Sequence, residues 1–134
     1  MTESMEELDS LVKYKTLPIW TETTVPKSFQ TQHNTKQGTW AKITVEAGRL
    51  QYDALSETGE ILSTEIITPL HTDFFVSPGA WHRVKPLGTL RCFVEFYCRA
   101  EDYYQKKYQF AAPHRDIQAL IQNPLADQMN RTSD

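Results

Sequence analysis

Apolar and polar residues alternate with period two through most of the chain, a pattern typical of half-buried β-strands. In the segment 39–45, for example, Ala41, Ile43 and Val45 fall on one face. Further strands are predicted at 49–55, 61–68, 74–76, 81–84 and 90–98, with turns at 46–48, 56–60, 77–79 and 85–89. Many short strands separated by Gly- and Pro-containing turns indicate an all-β sandwich or small barrel.

The two ends of the chain differ from this pattern. Residues 1-13 are predicted to be an N-terminal arm or short helix, since Ser4 and Glu7 have capping-box spacing. Residues 14-113 form the predicted β domain, which begins with an extended edge segment at 14–20 and a short strand around Phe29. Within it, a short helix is predicted at 101–110. Residues 114-134 are a C-terminal extension, predicted to be helical at 116–123 and disordered from Pro124.

Composition restricts the function classes. A length of 134 residues suits one domain, and 17 acidic against 14 basic residues give a net charge of −3. This charge argues against nucleic-acid binding, which normally needs a basic patch. No apolar run approaches the roughly 20 residues of a membrane span. The acidic N-terminus does not resemble a signal peptide, so we expect a cytoplasmic location, and Cys92 and Cys98 are expected to be reduced.

The segment 74–84 is the most site-like part of the sequence. It reads as a strand, a tight turn at Ser77-Pro78-Gly79, and a second strand. Period two then places His82 beside Val84 on one face of that strand. The sequence therefore predicts a histidine on the inner face of the β domain, next to a turn.

Several motifs together resemble a known family. They are YKTLPIW at 14–20, HNTK at 33–36, GTWAK at 38–42, AWHRV at 80–84, FYC at 96–98, EDY at 101–103 and KKY at 106–108. The combination is similar to the TehB/YeaR-like group of small cupin-like proteins, which includes the N-terminal domain of tellurite-resistance protein B. The resemblance covers roughly residues 14–114. It implies a cupin-like double-stranded β-helix, or jelly roll, with short terminal helices.

The resemblance also sets expectations for function. In the longer members this domain precedes an S-adenosylmethionine-dependent methyltransferase domain, but these residues contain no Gly-x-Gly-x-x-Gly fingerprint. We therefore expect a tellurite-resistance-related module that binds a metal ion, small molecule or oxyanion and is not itself a methyltransferase. The alternatives are a metal-dependent cupin enzyme of dioxygenase or isomerase type, or a dimerisation module. A homodimer is expected, and a separately encoded methyltransferase partner is compatible with the sequence but not required by it.

The cupin ligand pattern is only partly present. Gly48 fits the glycine that closes the first cupin motif, but no His-x-His occurs. His33 and His82 stand near the two places where cupin motifs supply metal ligands, and Glu95 is a candidate third ligand. This set predicts one divalent metal, Zn, Fe, Mn or Ni. The alternative is that His82 and Glu95 make ordinary structural contacts, and alternation places Glu95 opposite the apolar face of its strand.

Other residues are candidates for a ligand pocket or for redox chemistry. Cys92 and Cys98 suggest a redox or tellurium-oxyanion role, although core packing explains them better. His71 lies in a turn and His114 near the end of the domain, and both are weaker ligand candidates. A ligand pocket, or alternatively ordinary core, is predicted for Trp40, Tyr52, Trp81, Arg83, Phe93 and Tyr97. An oxyanion-attracting mouth, or alternatively scattered surface bases, is predicted for Lys42, Arg49, Arg83, Lys85 and Arg91.

Overall fold

A computed structural model describes residues 10–111, with side chains up to residue 105. Within these residues the fold is all-β and jelly-roll-like, with seven strands in one antiparallel sheet and one α-helix. The strands are β1 (Leu11–Thr16), β2 (Trp20–Thr21), β3 (His33–Asn34), β4 (Trp40–Leu55), β5 (Ile61–Ile67), β6 (Phe74–Val76) and β7 (Trp81–Arg99). The helix α1 (Ala100–Ala111) follows β7 directly. No helix among the described residues is long and apolar enough to cross a membrane.

The antiparallel pair β4–β7 is the centre of the sheet. It runs from Trp40 opposite Tyr97 to Leu55 opposite Trp81. One half of the pair is extended by β6 and β1, and the other half by β5 and β3, while β2 pairs with the middle of β7. Inward side chains of both halves, such as Ile43 and Leu50, belong to one hydrophobic core. The sheet therefore folds over on itself, and the core lies between its halves.

The sheet bends where turns were predicted. The predictions of turns at 46–48 and 85–89 are wrong, because both segments lie inside continuous strands. The β4–β7 register instead shifts between Val45 and Ala47 and again between Gly48 and Leu50, as at β-bulges. Gly48 has φ +85°, and a Cβ at this position would overlap the carbonyl oxygen of Thr89. Only glycine fits here, so the bend is encoded at this residue.

Most of the remaining predicted elements are present. The hairpin at 56–60, the strands near 61–68 and 74–76, and the helix after residue 100 are confirmed. The short strand predicted around Phe29 is wrong, because Lys27–Phe29 form a 3₁₀ turn in which the Phe29 amide donates to the Pro26 carbonyl. For residues 1–13 the sequence allowed an arm or a short helix, and the helix is wrong at residues 11–13, which pair with β7. Residues 1–9, and the predictions for 114–134, lie outside the described residues.

The two faces of β7 alternate as the sequence predicts. His82 and Val84 are buried, as are Leu90, Cys92, Val94 and Phe96, while the residues that alternate with them are exposed or half-buried. The edge strand β5 is different, because six of its seven residues are exposed and only Ile67 reaches the core. The inner face of β7 therefore supplies one wall of the domain interior, and most of β5 lies outside it.

Candidate functional site: a cavity with two histidines

A cavity of about 40 Å³ lies in the core between the two halves of the sheet. A water molecule needs on the order of 10–15 Å³ of such space, so the enclosed part holds roughly three waters or a few ligand atoms. Most of the wall is apolar, and the half-buried residues Trp20, Phe29 and His33 mark the side that reaches solvent. The wall consists of Trp20, Val25, Phe29, His33, Thr35, Ala41, Ile43, Leu50, His82, Val84, Cys92, Val94 and Phe96.

The cavity brings together the two histidines that the sequence singled out. His33 of β3 and His82 of β7 are direct partners in the strand register, and their ring centroids are 4.1 Å apart. Phe29 stacks on His33 at 5.1 Å, and Tyr52 stacks on His82 at 5.5 Å. Trp20 contacts Phe29 edge-on and so continues this row of rings. The imidazoles are thus held in place by ring contacts on either side.

Hydrogen bonds to the backbone fix the tautomer of each imidazole. The Nδ1 of His82 lies 2.9 Å from the Ala80 carbonyl oxygen, and the Nδ1 of His33 lies 2.9 Å from that of Thr31. Because a carbonyl oxygen can only accept, Nδ1 must carry the hydrogen in both rings. In the neutral ring Nε2 then has a free lone pair, and neither Nε2 has a hydrogen-bond partner among the described residues.

Burial keeps both imidazoles neutral. It lowers the pKa of His82 to about 4, with the neighbouring His33 as a second cause, although the bond to Ala80 opposes the shift. Burial also lowers the pKa of His33, against the opposing effect of its bond to the Thr31 carbonyl. At neutral pH the cavity therefore presents two uncharged hydrogen-bond acceptors rather than two cations.

Thr35 is a further polar residue of the wall, which the sequence reasoning missed. Only 3% of the residue is exposed, and its Oγ1 is fully buried and has no hydrogen-bond partner. Its backbone is fixed, because its amide donates to the Ala80 carbonyl and its carbonyl accepts from the Gly79 amide. The available signal was period two, which places residue 35 on the same face as His33.

Glu95 does not join the histidines. It lies on the opposite face of β7, where its carboxylate accepts a hydrogen bond from Lys13 Nζ at 2.9 Å. In the part of the chain that the structure describes, no group of three or more His, Cys, Asp or Glu side chains is placed to hold a metal ion. The structure therefore brings together two of the three predicted ligands and separates the third.

The six residues predicted to line a ligand pocket lie elsewhere. None of them is in the cavity wall, although Tyr52 packs behind His82. Arg83 is paired with Asp53, and Tyr97 contacts Phe75. The others are Trp40, which is buried, and Trp81 and Phe93, which are half-buried. Alternation explains this result, because five of the six point away from the cavity. Trp81, Arg83, Phe93 and Tyr97 alternate with the inward residues of β7, and Trp40 pairs with Tyr97.

The other sequence candidates are also accounted for. Cys92 is in the cavity wall, and burial raises the pKa of its thiol to about 11, so that it is not a thiolate at neutral pH. Cys98 is buried and forms no disulfide within the described residues. His71 lies in a turn where its Nδ1 accepts from the Thr68 amide, and His114 lies outside the described residues. None of the five bases predicted to form an oxyanion mouth lines the cavity.

Comparison with known proteins places the chain in a family. The family profile described as the TehB-like domain matches residues 15–94. The chain is 46% identical over 110 residues to the probable S-adenosyl-L-methionine-dependent methyltransferase TehB of Haemophilus influenzae strain KW20, and that match covers 81% of this chain but 38% of the relative.

Solved structures agree with this assignment. The crystal structure of TehB from Haemophilus influenzae aligns with a TM-score of 0.71 and 44% identity over 84% of this chain and 40% of that one. A protein from E. coli strain K12 aligns with a TM-score of 0.62 at 17% identity, covering 98% of its length, which shows a shared fold. The chain therefore matches the N-terminal part of TehB, and it belongs to the TehB-like family.

Proposed function

We propose that this domain is a small-molecule-binding module of a tellurite-resistance-related protein, that the two-histidine cavity is its site, and that the domain itself carries out no methyl transfer. The observation that carries the proposal is the pair of imidazoles, His33 and His82, which line the cavity and whose Nε2 atoms have no hydrogen-bond partner among the described residues. Nearly all buried polar groups in folded proteins are hydrogen-bonded. Two unpaired acceptors held side by side at a cavity are therefore best explained by a partner that arrives from outside the chain.

The geometry of these imidazoles supports the same proposal. Each Nδ1–H is held by a backbone carbonyl, so each Nε2 lone pair has a defined position before any ligand binds. Such preorganised polar groups in a mostly apolar pocket are typical of small-molecule sites, since little ordering is left to occur on binding. We assign no methyl transfer to the domain because its sequence contains no Gly-x-Gly-x-x-Gly fingerprint for a methyl donor.

The described residues do not fit a closed divalent-metal site. The fixed Nδ1 tautomer is the one that metal-bound histidines commonly have. However, protein zinc sites use at least three side-chain ligands, and the cavity offers two imidazoles with Glu95 on the other face. We therefore derive no reaction step through a metal at this site, and we favour binding over a metal-dependent cupin enzyme.

A nuclear magnetic resonance titration tests the proposal. The ¹H–¹⁵N spectrum of the protein would be recorded against a library of small fragments that includes anions, cations and uncharged molecules. We expect at least one fragment to shift the amides of Ala41, Val84 and Val94, which line the cavity, but not those of the edge strand β5.

Two valine variants of β4 make the titration specific. Ala41→Val adds two methyl groups to the cavity wall and should weaken binding, whereas Thr44→Val, on the other face of the same strand, should leave it unchanged. Thermal unfolding of both variants checks that they are folded. If no fragment shifts the cavity amides, or if Ala41→Val binds as the unmodified protein does, the proposal is wrong.

A further inference from the structure

The chemistry of the cavity wall restricts the class of ligand, given that the proposed function is correct. The unpaired polar atoms that a ligand can reach are the Nε2 atoms of His33 and His82, which accept hydrogen bonds, while the Oγ1 of Thr35 is fully buried. A complementary ligand must therefore bring at least one hydrogen-bond donor. A single hydroxyl or N–H suffices, because it donates to an imidazole.

The wall also lacks any charge to balance a charged ligand. Among the described residues no Asp, Glu, Lys or Arg lines the cavity. Moving an ion out of water into such surroundings is expensive unless it is paired with an opposite charge. An anion would also be placed next to the lone pairs of neutral imidazoles, which repel it. A free oxyanion such as tellurite is thus a poor match for this cavity at neutral pH.

The rest of the cavity wall is apolar and the cavity is small, so a complementary ligand has a small apolar body. Trp20 and Phe29 stand at the side that reaches solvent, and aliphatic side chains such as Ile43 and Leu50 lie deeper. The enclosed volume of about 40 Å³ admits only a few non-hydrogen atoms. From these observations we infer that the cavity binds a small uncharged molecule with an apolar body and a hydroxyl or N–H head, and that it discriminates against anions, oxyanions included.

Four compounds that share a branched four-carbon skeleton and differ in their polar group test this inference. Isobutanol supplies an uncharged donor, isobutyl methyl ether an acceptor alone, isobutyrate an anion and isobutylamine a cation, and tellurite is added as the oxyanion. Each would be titrated at pH 7 while the amides of Ala41, Val84 and Val94 are followed. A ligand of so few atoms is expected to bind with a Kd on the order of millimolar. We expect isobutanol to bind about tenfold more tightly than the other four.

Variants of the polar atoms identify the contact. His82→Asn keeps an N–H near the position of Nδ1, where it can still donate to the Ala80 carbonyl, and removes Nε2. His33→Asn makes the same change in the other imidazole, whose Nδ1 bonds the Thr31 carbonyl. Each variant should weaken isobutanol binding about tenfold and leave the weak binding of the ether within twofold. His71→Asn is the matched control, because His71 lies in a turn outside the cavity, and it should change nothing.

The outcomes separate the inference from the proposed function. Preferred binding of isobutanol, lost in His82→Asn and His33→Asn, supports the inference. Tighter binding of isobutyrate, isobutylamine or tellurite at the cavity overturns the ligand class but leaves the binding function in place. Failure of isobutanol to shift any cavity amide also overturns the inference, and the wider fragment library then decides whether the cavity binds anything.

Discussion

Two polar clusters on opposite faces of the β4–β7 pair differ in how far their hydrogen bonds are satisfied. On the outer face, the buried carboxylate of Asp53 accepts hydrogen bonds from Arg83 at 2.9 Å, Thr64 at 2.7 Å and Gln51 at 3.2 Å. On the inner face, the Nε2 atoms of the two histidines have no partner among the described residues, although they line a cavity. An unpaired group alone does not mark a site, because Trp40 Nε1 on the outer face is also buried without a partner, but it lines no such cavity. Unpaired acceptors beside a cavity call for a ligand, whereas the saturated cluster is explained by stability alone.

Electrostatics follow the same division. Burial alone would raise the pKa of Asp53, but hydrogen bonds from Arg83, Thr64 and Gln51 hold it below its ordinary value, so the outer cluster stays charged. Burial lowers the pKa of His82 to about 4, so the inner cluster stays uncharged. Charge is thus kept where it is paired and absent from the cavity.

Lowering the pH should give the largest change in stability, because it favours the unfolded state, in which His82 is more easily protonated. The pKa of His82 is about 4 in the folded protein against an ordinary value of 6.5. Above pH 6.5 neither state binds the proton, and the full stability is present. As the pH falls from 6.5 towards 4, the unfolded state takes up a proton that the folded state refuses, and the free energy of unfolding decreases by on the order of 3 kcal/mol. Urea denaturation across this range measures the loss.

A variant assigns the pH dependence to this residue. His82→Asn does not titrate in this range and should remove most of the slope between pH 6.5 and 4, leaving the smaller contribution of His33, whose pKa is also lowered by burial. Thr44→Val, which removes no ionisable group and lies on the other face of β4, should retain the full slope. An unmodified protein equally stable at pH 7 and pH 4.5 would show that the imidazole is not shielded as described.

Removing the carboxylate of Asp53 should destabilise the hydrogen-bonded cluster on the outer face. Asp53→Ala leaves Arg83, Thr64 and Gln51 without their shared acceptor. Because these donors are partly accessible to water, we expect a loss of about 2 kcal/mol in the free energy of unfolding rather than more. Asp73→Ala, which removes the exposed partner of Lys42, should have little effect. Affinity of the cavity for isobutanol should stay the same in both, and a tenfold loss in Asp53→Ala would mean that the faces are coupled.

Replacing threonine by valine should change the free energy of unfolding in opposite directions on the two faces. Thr35→Val replaces an unpaired buried hydroxyl by a methyl group, so the ligand-free protein should gain about 1 kcal/mol of stability. Thr64→Val removes a donor to Asp53 and should lose about 1 kcal/mol. Urea denaturation midpoints of the two variants measure the difference. Destabilisation in both would indicate that the Thr35 hydroxyl is already satisfied in solution.

The smallest effect on stability and affinity is expected for Glu95, the candidate third metal ligand of the sequence analysis. Glu95→Gln disrupts an ion pair with the half-exposed Lys13 on the outer face, and such pairs contribute little. We expect an unchanged urea midpoint and an unchanged affinity for isobutanol. Elemental analysis of the variant beside the unmodified protein, both purified without chelator, completes the test, since loss of a stoichiometric metal in Glu95→Gln would contradict the placement of this side chain.

Period-two alternation allowed most of the strands and their faces to be predicted from sequence, including the inward position of His82 and the outward position of Glu95. The bulge at Gly48 was not predictable in this way, because a glycine beside small or polar residues signals a turn as readily as a bend within a strand. The pairing of His33 with His82 depends on strand register between distant segments, which local patterns do not specify. Thr35 was missed because it lies in a polar stretch that resembles a turn.

The short strand β3 offers a way to observe whether a ligand occupies the cavity. It is held to β7 by two register pairs, whereas β4 and β7 are paired along almost their entire length. Amide hydrogens of β4 should therefore exchange with solvent only when the whole domain unfolds, while those near His33 exchange through local opening. A molecule bridging His33 and His82 would slow exchange in this segment by a factor of 1 + [L]/Kd. Deuterium uptake at residues 33–35 is thus a gauge of cavity occupancy that requires no label on the ligand.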